Sequence, residues 1–248
     1  MKYAILSDIH SNVYALEAVI DDAVQRGCNT LVNLGDILYG PIRPRATFDL
    51  LSEYDFVTIS GNQDRQIYQA DNAEIASNPT MQFILDDLGT EPLDWMKSLP
   101  FDLQLTPELY LCHGTPKSDL IYLLEDVSTG TAIVRKDNDI QALLGEQKSR
   151  LICCGHTHTP RLVKLASGST ILNPGSVGLQ AYTDEEPVVH SMQNYTDKAC
   201  YAIIEITQND FIVEHRRVNY EVASAIKDCL ARDRDDWAHF LQTGRKLP

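Results

Sequence analysis

The chain has 248 residues, 44% of them hydrophobic and 23% charged, with a formal net charge of −14. That composition is an ordered globule's and excludes a disordered chain, while the acidic balance argues against an extended nucleic-acid surface, where affinity comes largely from neutralising phosphates. A small phosphorylated ligand stays compatible, because bound metal ions reverse the local field.

In chain order, Tyr3–Leu6 reads as a buried strand, Ser7-Asp8-Ile9-His10-Ser11-Asn12 as a loop, and Val13 to Gly27 as a helix on the spacing of Val13, Leu16, Val19, Ile20 and Val24. Asp8 and His10 thus sit at the carboxyl end of a strand, where open α/β sheets bind ligands; Asn12 reads as the helix cap. Thr30–Leu34 is a second strand, ended by Gly35-Asp36, and residues 44–54 look helical. Phe56–Ser60 is a third strand, ended by Gly61-Asn62-Gln63-Asp64. Residues 65–100 break into helical pieces, Arg65–Ala76, Thr80–Leu88 and Glu91–Leu99, an insertion that either lies over the site or forms a peripheral patch, with Trp95 and Met96 as its core. Phe101–Leu105 and Glu108–Cys112 form a hairpin ended by His113-Gly114. A helix near Asn138–Leu144 precedes the strand Leu151–Cys154, in which Cys153 and Cys154 face opposite sides. Gly155-His156-Thr157-His158 follows; alone, it is met about as well by surface histidines. Arg161–Leu165 and Thr170–Leu172 pair across Ser167-Gly168-Ser169, and Asn173–Gly178 makes a tight loop. Ala199–Ile206 and Phe211–Val218 pair across a turn at Gln208-Asn209-Asp210, and the segment Ala223–Leu241 is helical with a solvated Arg/Asp face. His190, His215 and His239 are structural or exposed. Length suits one domain, 1–248, with the insertion at about 65–100.

The six cysteines, Cys28, Cys112, Cys153, Cys154, Cys200 and Cys229, form no CxxC pair and read as reduced thiols of a cytoplasmic protein. No apolar run approaches the ~18 residues of a membrane span, and no signal-peptide segment follows Met1, so no membrane partner is expected. Oligomeric state is unreadable.

The polar groups at strand ends are Asp8, His10, Asp36, Asn62, His113, His156 and His158. One four-coordinate ion does not need seven ligands; two ions sharing a carboxylate do, and pairs of ions about 3.5–4 Å apart serve phosphoryl chemistry. Mixed N/O donors suit two divalent transition metals, Mn, Fe, Zn or Ni.

With these blocks in order (Asp8-Ile9-His10, Gly35-Asp36, Gly61-Asn62-Gln63-Asp64, His113-Gly114 and Gly155-His156-Thr157-His158), residues 1–178 resemble the calcineurin-like metallophosphoesterase superfamily, in its small bacterial and archaeal phosphodiesterase-like branch. The resemblance implies an α/β fold, a four-layer α/β/β/α sandwich of two mixed β-sheets with a small helical insertion. It implies one ion on Asp8, His10, Asp36 and His158, and the other on Asp36, Asn62, His113 and His156, with Asp36 bridging. Hydroxide held between the ions would attack phosphorus, and the ions and the Asn62 amide would hold the phosphoryl oxygens, which makes Asp36 and Asn62 the catalytic pair. Many relatives carry a histidine, paired to the following acid, where this chain has Gln63. Glutamine donates a hydrogen bond but no proton at pH 7, so diesters or anhydrides with acidic leaving groups are expected over alkyl monoesters. Asp64 is expected to orient its loop or pair with Arg65. Specificity is expected in residues 65–100 and 115–135. A phosphomonoesterase, a protein phosphatase, a nuclease and a non-catalytic scaffold, as in the phosphoesterase-like retromer subunit, stay open as alternatives.

Overall fold

The computed structural model describes residues 1–207 and 210–248. Alternating side chains build two five-stranded mixed sheets that share one dry interface. The first sheet uses β1 (Lys2–Leu6), β2 (Thr30–Asn33), β3 (Phe56–Thr58) and, from late in the chain, β13 (Ala199–Ile206) and β14 (Phe211–Val218), in the order β14-β13-β1-β2-β3. β1, β2 and β3 run parallel; β13 lies antiparallel to β1. The second sheet uses β4 (Asp102–Thr106), β5 (Leu109–Cys112), β8 (Leu151–Cys153), β9 (Arg161–Lys164) and β10 (Thr170–Asn173), in the order β4-β5-β8-β10-β9, with β5, β8 and β10 parallel.

The period of two along each strand sorts side chains between layers. Tyr3 and Ile5 of β1 meet Leu109, Leu111, Leu151 and Cys153 of the other sheet between the two. Ala4 and Leu6 point outward to α1 (Val13–Gln25) and α2 (Pro44–Ser52). Ile152 and Cys154 point outward to Ile140 and Leu144 of α7 (Asp137–Leu144), so Cys153 and Cys154 do face opposite sides. The result is the expected four-layer α/β/β/α sandwich. Both sheets deliver the carboxyl ends of their parallel strands to one rim.

The insertion comprises α3 (Asn62–Gln69), α4 (Asn72–Ser77), α5 (Pro79–Leu88) and α6 (Thr90–Ser98). The expected helix Arg65–Ala76 is therefore two, because the Asp71 carboxylate caps a new start by accepting the Ala73 and Glu74 N–H groups. Met81, Ile84, Leu88 and Met96 join the helical layer over the first sheet, while Trp95 is only partly buried. Two short hairpins are additions to the sequence reading: β6 (Glu125–Asp126) with β7 (Ile133–Val134), and β11 (Ala181–Asp184) with β12 (His190–Gln193). The C-terminal segment is helical as expected, in two pieces, α8 (Val222–Leu230) and α9 (Asp235–Thr243). The chain turns between them at Asp233, which is left-handed at φ 55°, a conformation Asp tolerates better than most residues. Of the turn expected at Gln208-Asn209-Asp210, Gln208 and Asn209 lie outside the described residues. No helix among the described residues is long and apolar enough to cross a membrane.

Candidate metal centre

The loop after β1 is stitched to the loop after β2, since Asp8 N–H donates to Gly35 O at 3.0 Å and His10 N–H to Asp36 O at 3.1 Å. In the second sheet the loops after β5 and β8 are stitched likewise by Gly155 N–H to His113 O at 2.8 Å, and the two sheets are joined by Val177 N–H to Ser7 O at 3.0 Å. Glycine is needed where these loops meet. A Cβ on Gly61 would overlap the Asp36 carboxylate, and one on Gly155 would overlap the Ser7 hydroxyl beside Asp8. The rim that results gathers two groups of ligand-type atoms, Asp8/His10/His158 and Asp36/His113/His156, each within 4.8 Å. Asn62 joins the second group through His113. All seven residues singled out in the sequence therefore meet at one place.

Five of the six clustered ligand-type residues are left-handed: Asp8 (φ 55°), His10 (50°), Asp36 (55°), His156 (69°) and His158 (58°). Non-glycine residues held there each cost on the order of 1–3 kcal/mol, a strain that concentrates at functional sites. The surrounding bonds fix them. Ser176 Oγ donates to Asp8 O at 2.8 Å, Asn194 Nδ2 to His158 O at 2.6 Å, and Asn173 Nδ2 to Gly155 O at 2.8 Å. Asn12 caps α1 as expected, accepting Ala15 N–H at 3.2 Å, and its amide also donates to Gly178 O.

The imidazole tautomers decide what the centre can hold. His10, His158 and His113 each have Nδ1 against a backbone carbonyl, Tyr39 O at 3.1 Å, Leu179 O at 2.7 Å and Leu34 O at 2.8 Å. A carbonyl only accepts, so each Nδ1 carries a proton, and in its neutral form such a ring presents a bare Nε2 lone pair. His10 Nε2 then faces His158 Nε2 at 3.0 Å, with Asp8 Oδ1 3.4 Å from the latter. His113 Nε2 faces Asn62 Oδ1 at 3.0 Å and Asp36 Oδ2 at 3.5 Å. Acceptors converging in a buried site require a proton or a cation between them. The second-nitrogen bond to a carbonyl is also the usual outer support of a metal-ligating histidine. The donor set, imidazole and carboxylate without thiolate, fits a divalent transition metal at each group.

Titration follows the same geometry. Burial and the neighbouring His158 push His10 down to about 4, and burial and His113 push His156 down to about 4. Burial alone would lower His113 too, but the Asp36 charge outweighs it and lifts it to about 10. Burial would raise Asp36, yet His113 holds it well below the carboxylate range. Without a cation, the His113 proton is the substitute.

Asp64 is wholly buried. Its Oδ2 accepts N–H from Asp36 at 2.8 Å and Gly61 at 2.9 Å, and its Oδ1 accepts Ile37 N–H at 2.8 Å. Burial and the Asp36 charge push it up to about 7, but cations at Asp36 would remove the second cause, and three donors on two oxygens favour the carboxylate. Asp64 thus orients the loop. The expected pairing with Arg65 does not form: Arg65 forks onto Asp119 at 2.8 and 3.0 Å.

Three residues that the sequence reading did not place at the site support the loop that carries His156 and His158. The Tyr122 ring lies tilted 4.6 Å from the His156 ring, and the Tyr182 ring lies 4.6 Å from that of His158. Their hydroxyls meet at 2.9 Å, and Tyr182 also reaches His156 O. His190, with Nδ1 on Val188 O, accepts the Tyr122 hydroxyl at Nε2, 3.0 Å away. His190 is therefore structural, as expected, but its structure is that of the site.

Above the ligands lies a cleft of about 360 Å³. Its outer wall combines Gln63 and Gln66 with Leu179, Tyr182, Thr183 and Asp184, and with Arg234, Asp236, Trp237 and Phe240. Only part of that wall comes from residues 65–100 and 115–135, where specificity was expected. Arg234 and Asp236 belong to the cleft, which corrects the solvated face expected of the C-terminal segment. The signal available in the sequence was Trp237, one of two tryptophans, placed directly after a run of charges.

Comparison with known proteins agrees with this geometry. Residues 1–209 match the model of the calcineurin-like phosphoesterase superfamily domain. The chain belongs to that superfamily, a metal-dependent family of phosphoesterases. It is 26% identical over 245 residues, 94% of each chain, to the uncharacterized protein MJ0912 of Methanocaldococcus jannaschii. Its fold is similar to that of a metallophosphoesterase from Sphaerobacter thermophilus (TM-score 0.75, 22% identity, 99% of this chain and 100% of that one). It is also similar to that of hypothetical protein PH1004 from Pyrococcus horikoshii OT3 (TM-score 0.77, 17% identity, 99% of each chain).

Proposed function

We propose that this chain is a dinuclear metal-dependent phosphoesterase that cleaves phosphodiester or phosphoanhydride bonds of a small phosphorylated substrate. The observation that carries the reading is the convergence of bare imidazole nitrogens, carboxylates and one amide oxygen in two adjoining groups. Asp8, His10 and His158 would hold one ion and His113, His156 and Asn62 the other, with Asp36 shared. Mn, Fe, Zn or Ni suits these donors; such ions lower the pKa of water and polarise phosphoryl oxygens.

The protein's own groups do the rest. Asn62, with Oδ1 turned to His113, leaves its NH₂ to donate to a phosphoryl oxygen. Gln63 lines the cleft, and its Oε1 is buried without a hydrogen-bond partner among the described residues. It has no proton to give a departing alkoxide, so leaving groups that depart as stable anions are favoured. Tyr39, Trp237 and Phe240 wall the cleft against bulk water. The small cleft and the net charge of −14 favour a small substrate over a nucleic-acid strand. Six free thiols, five of them buried, fit a reducing, cytoplasmic setting.

The test is hydrolysis by chelator-stripped protein reloaded with each metal, with bis-p-nitrophenyl phosphate against p-nitrophenyl phosphate and Asp36→Ala as control. Metal-dependent diester cleavage that exceeds monoester cleavage and vanishes in Asp36→Ala is expected. Equal or greater monoester turnover refutes the Gln63 argument, and metal-independent turnover refutes the site.

A further inference from the structure

The matched family domain ends at residue 209, yet one wall of the cleft comes from the segment 234–240. The left-handed turn at Asp233 and the fresh start of α9 at Asp235 bring that wall over the ligands. Trp237 stands edge-on to the His10 ring, centroids 5.7 Å apart at 81°. On Trp237 rests the Arg234 guanidinium, its carbon 5.3 Å from the ring centroid. A fixed cation is thus held two ring-sized steps from a proposed metal ligand.

Arg234 is the one Lys or Arg among the described residues that line the cleft. Its Nε and Nη2 fork onto the Asp236 carboxylate at 2.8 and 2.7 Å, and Nη1 donates to Thr80 Oγ1 of α5 at 2.7 Å. A guanidinium has five N–H donors in a planar fork that suits phosphate as well as carboxylate. Its side chain is 26% exposed and that of Asp236 35%, so the pair is reachable from the cleft. Stacking on Trp237 and the tether to Thr80 hold the fork in place without Asp236. In a chain of net charge −14, a cation kept at this point opposes the general field and would attract an anion there.

Building on the phosphoesterase reading, we propose that Arg234 binds a second phosphate of the substrate, which makes phosphoanhydrides the preferred class over simple diesters. In the free protein Asp236 occupies the fork; substrate phosphate replaces it. Arg234 sets specificity and takes no part in bond breaking.

The test is calorimetric binding of two probes to the manganese-loaded full chain: adenosine 5′-monophosphate and the non-hydrolysable methylene-bridged analogue of adenosine 5′-diphosphate, which differ by one phosphoryl group. The wild-type protein is expected to prefer the two-phosphate probe. Arg234→Ala is expected to cut that preference about tenfold, the loss typical of one charge-assisted contact, and Arg234→Lys to cut it less. Asp236→Asn, which frees the fork, is expected to raise it; opposite signs for the two variants cannot come from misfolding. Absence of a preference in the wild type, equal weakening of both probes in Arg234→Ala, or a lowered preference in Asp236→Asn overturns the assignment and leaves a structural clamp between α5 and α9. Hydrolysis of the bis-ester is measured alongside. If it proves metal-independent, the phosphoesterase reading fails, while the probe preference still decides the role of Arg234.

Discussion

Asp64 gives the sharpest energetic test of how the site loops are held. It has no exposed surface, and it is the acceptor for three backbone N–H groups, those of Asp36, Ile37 and Gly61. Two of these flank the carboxylate proposed to be shared between the ions. Asp64→Ala strands three buried donors at about 1–3 kcal/mol each, about 3–9 kcal/mol in all. A domain's total stability is about 5–15 kcal/mol, so this variant falls near or below the folding threshold. In Asp64→Asn the amide oxygen can keep the Asp36 and Gly61 bonds, but its NH₂ then faces the Ile37 N–H. One bond is lost, and the expected cost is about 1–3 kcal/mol. Urea unfolding of the metal-stripped protein measures both, with the midpoint shifting at constant slope. An alanine variant within about 1 kcal/mol of wild type, or an asparagine variant less stable than the alanine one, would refute the three-bond account.

Three further outcomes follow from the same geometry. Gln63→His is expected to raise monoester turnover relative to diester turnover, because it adds a proton donor beside Asn62; steady-state kinetics on the two p-nitrophenyl esters reads the ratio, and an unchanged ratio sinks the argument. His113 is lifted to about 10 in the metal-free protein, above its unfolded value of about 6.5. Its stabilisation is therefore fully present below about pH 6.5 and lost as pH rises through about 10, and metal loading near pH 7.5 must expel its proton. Calorimetry in buffers of different ionisation enthalpy should show about one proton released per chain from this group; heats that do not depend on the buffer would contradict it. Tyr122→Phe keeps the ring on His156 but leaves His190 Nε2 without its donor. A tenfold or larger loss of metal affinity is expected, typical of outer-sphere supports, and competition with a chelator dye would detect its absence.

Much of the site was legible because each strand ends in a short polar block that needs no tertiary knowledge to read. Asp8, Asp36 and Asn62 follow three strands of one sheet, and His113 and His156 follow two of the other. What was hidden depends on packing between distant segments. Tyr122 lies in the apolar run Leu120–Leu124, which lacks the alternation of a strand, and its role exists only because His190 and Tyr182 arrive from the β11–β12 hairpin. That hairpin was illegible because its strands, Ala181-Tyr182-Thr183-Asp184 and His190-Ser191-Met192-Gln193, carry few apolar residues, and Glu185-Glu186-Pro187 between them reads as plain loop. The break at Asp233 carries neither Gly nor Pro, and helical spacing continues across it in Ala225, Cys229, Trp237 and Leu241. Only the burial of Trp237 against His10 shows why the helix turns there.

The claim on which the rest depends is that facing acceptors in this rim hold two cations. Elemental analysis of the reloaded, dialysed protein tests it most directly, on wild type, His10→Ala and His113→Ala. Two ions per chain in the wild type, with a loss in each variant, is the predicted result. One ion or none in the wild type, or full occupancy in both variants, would contradict it.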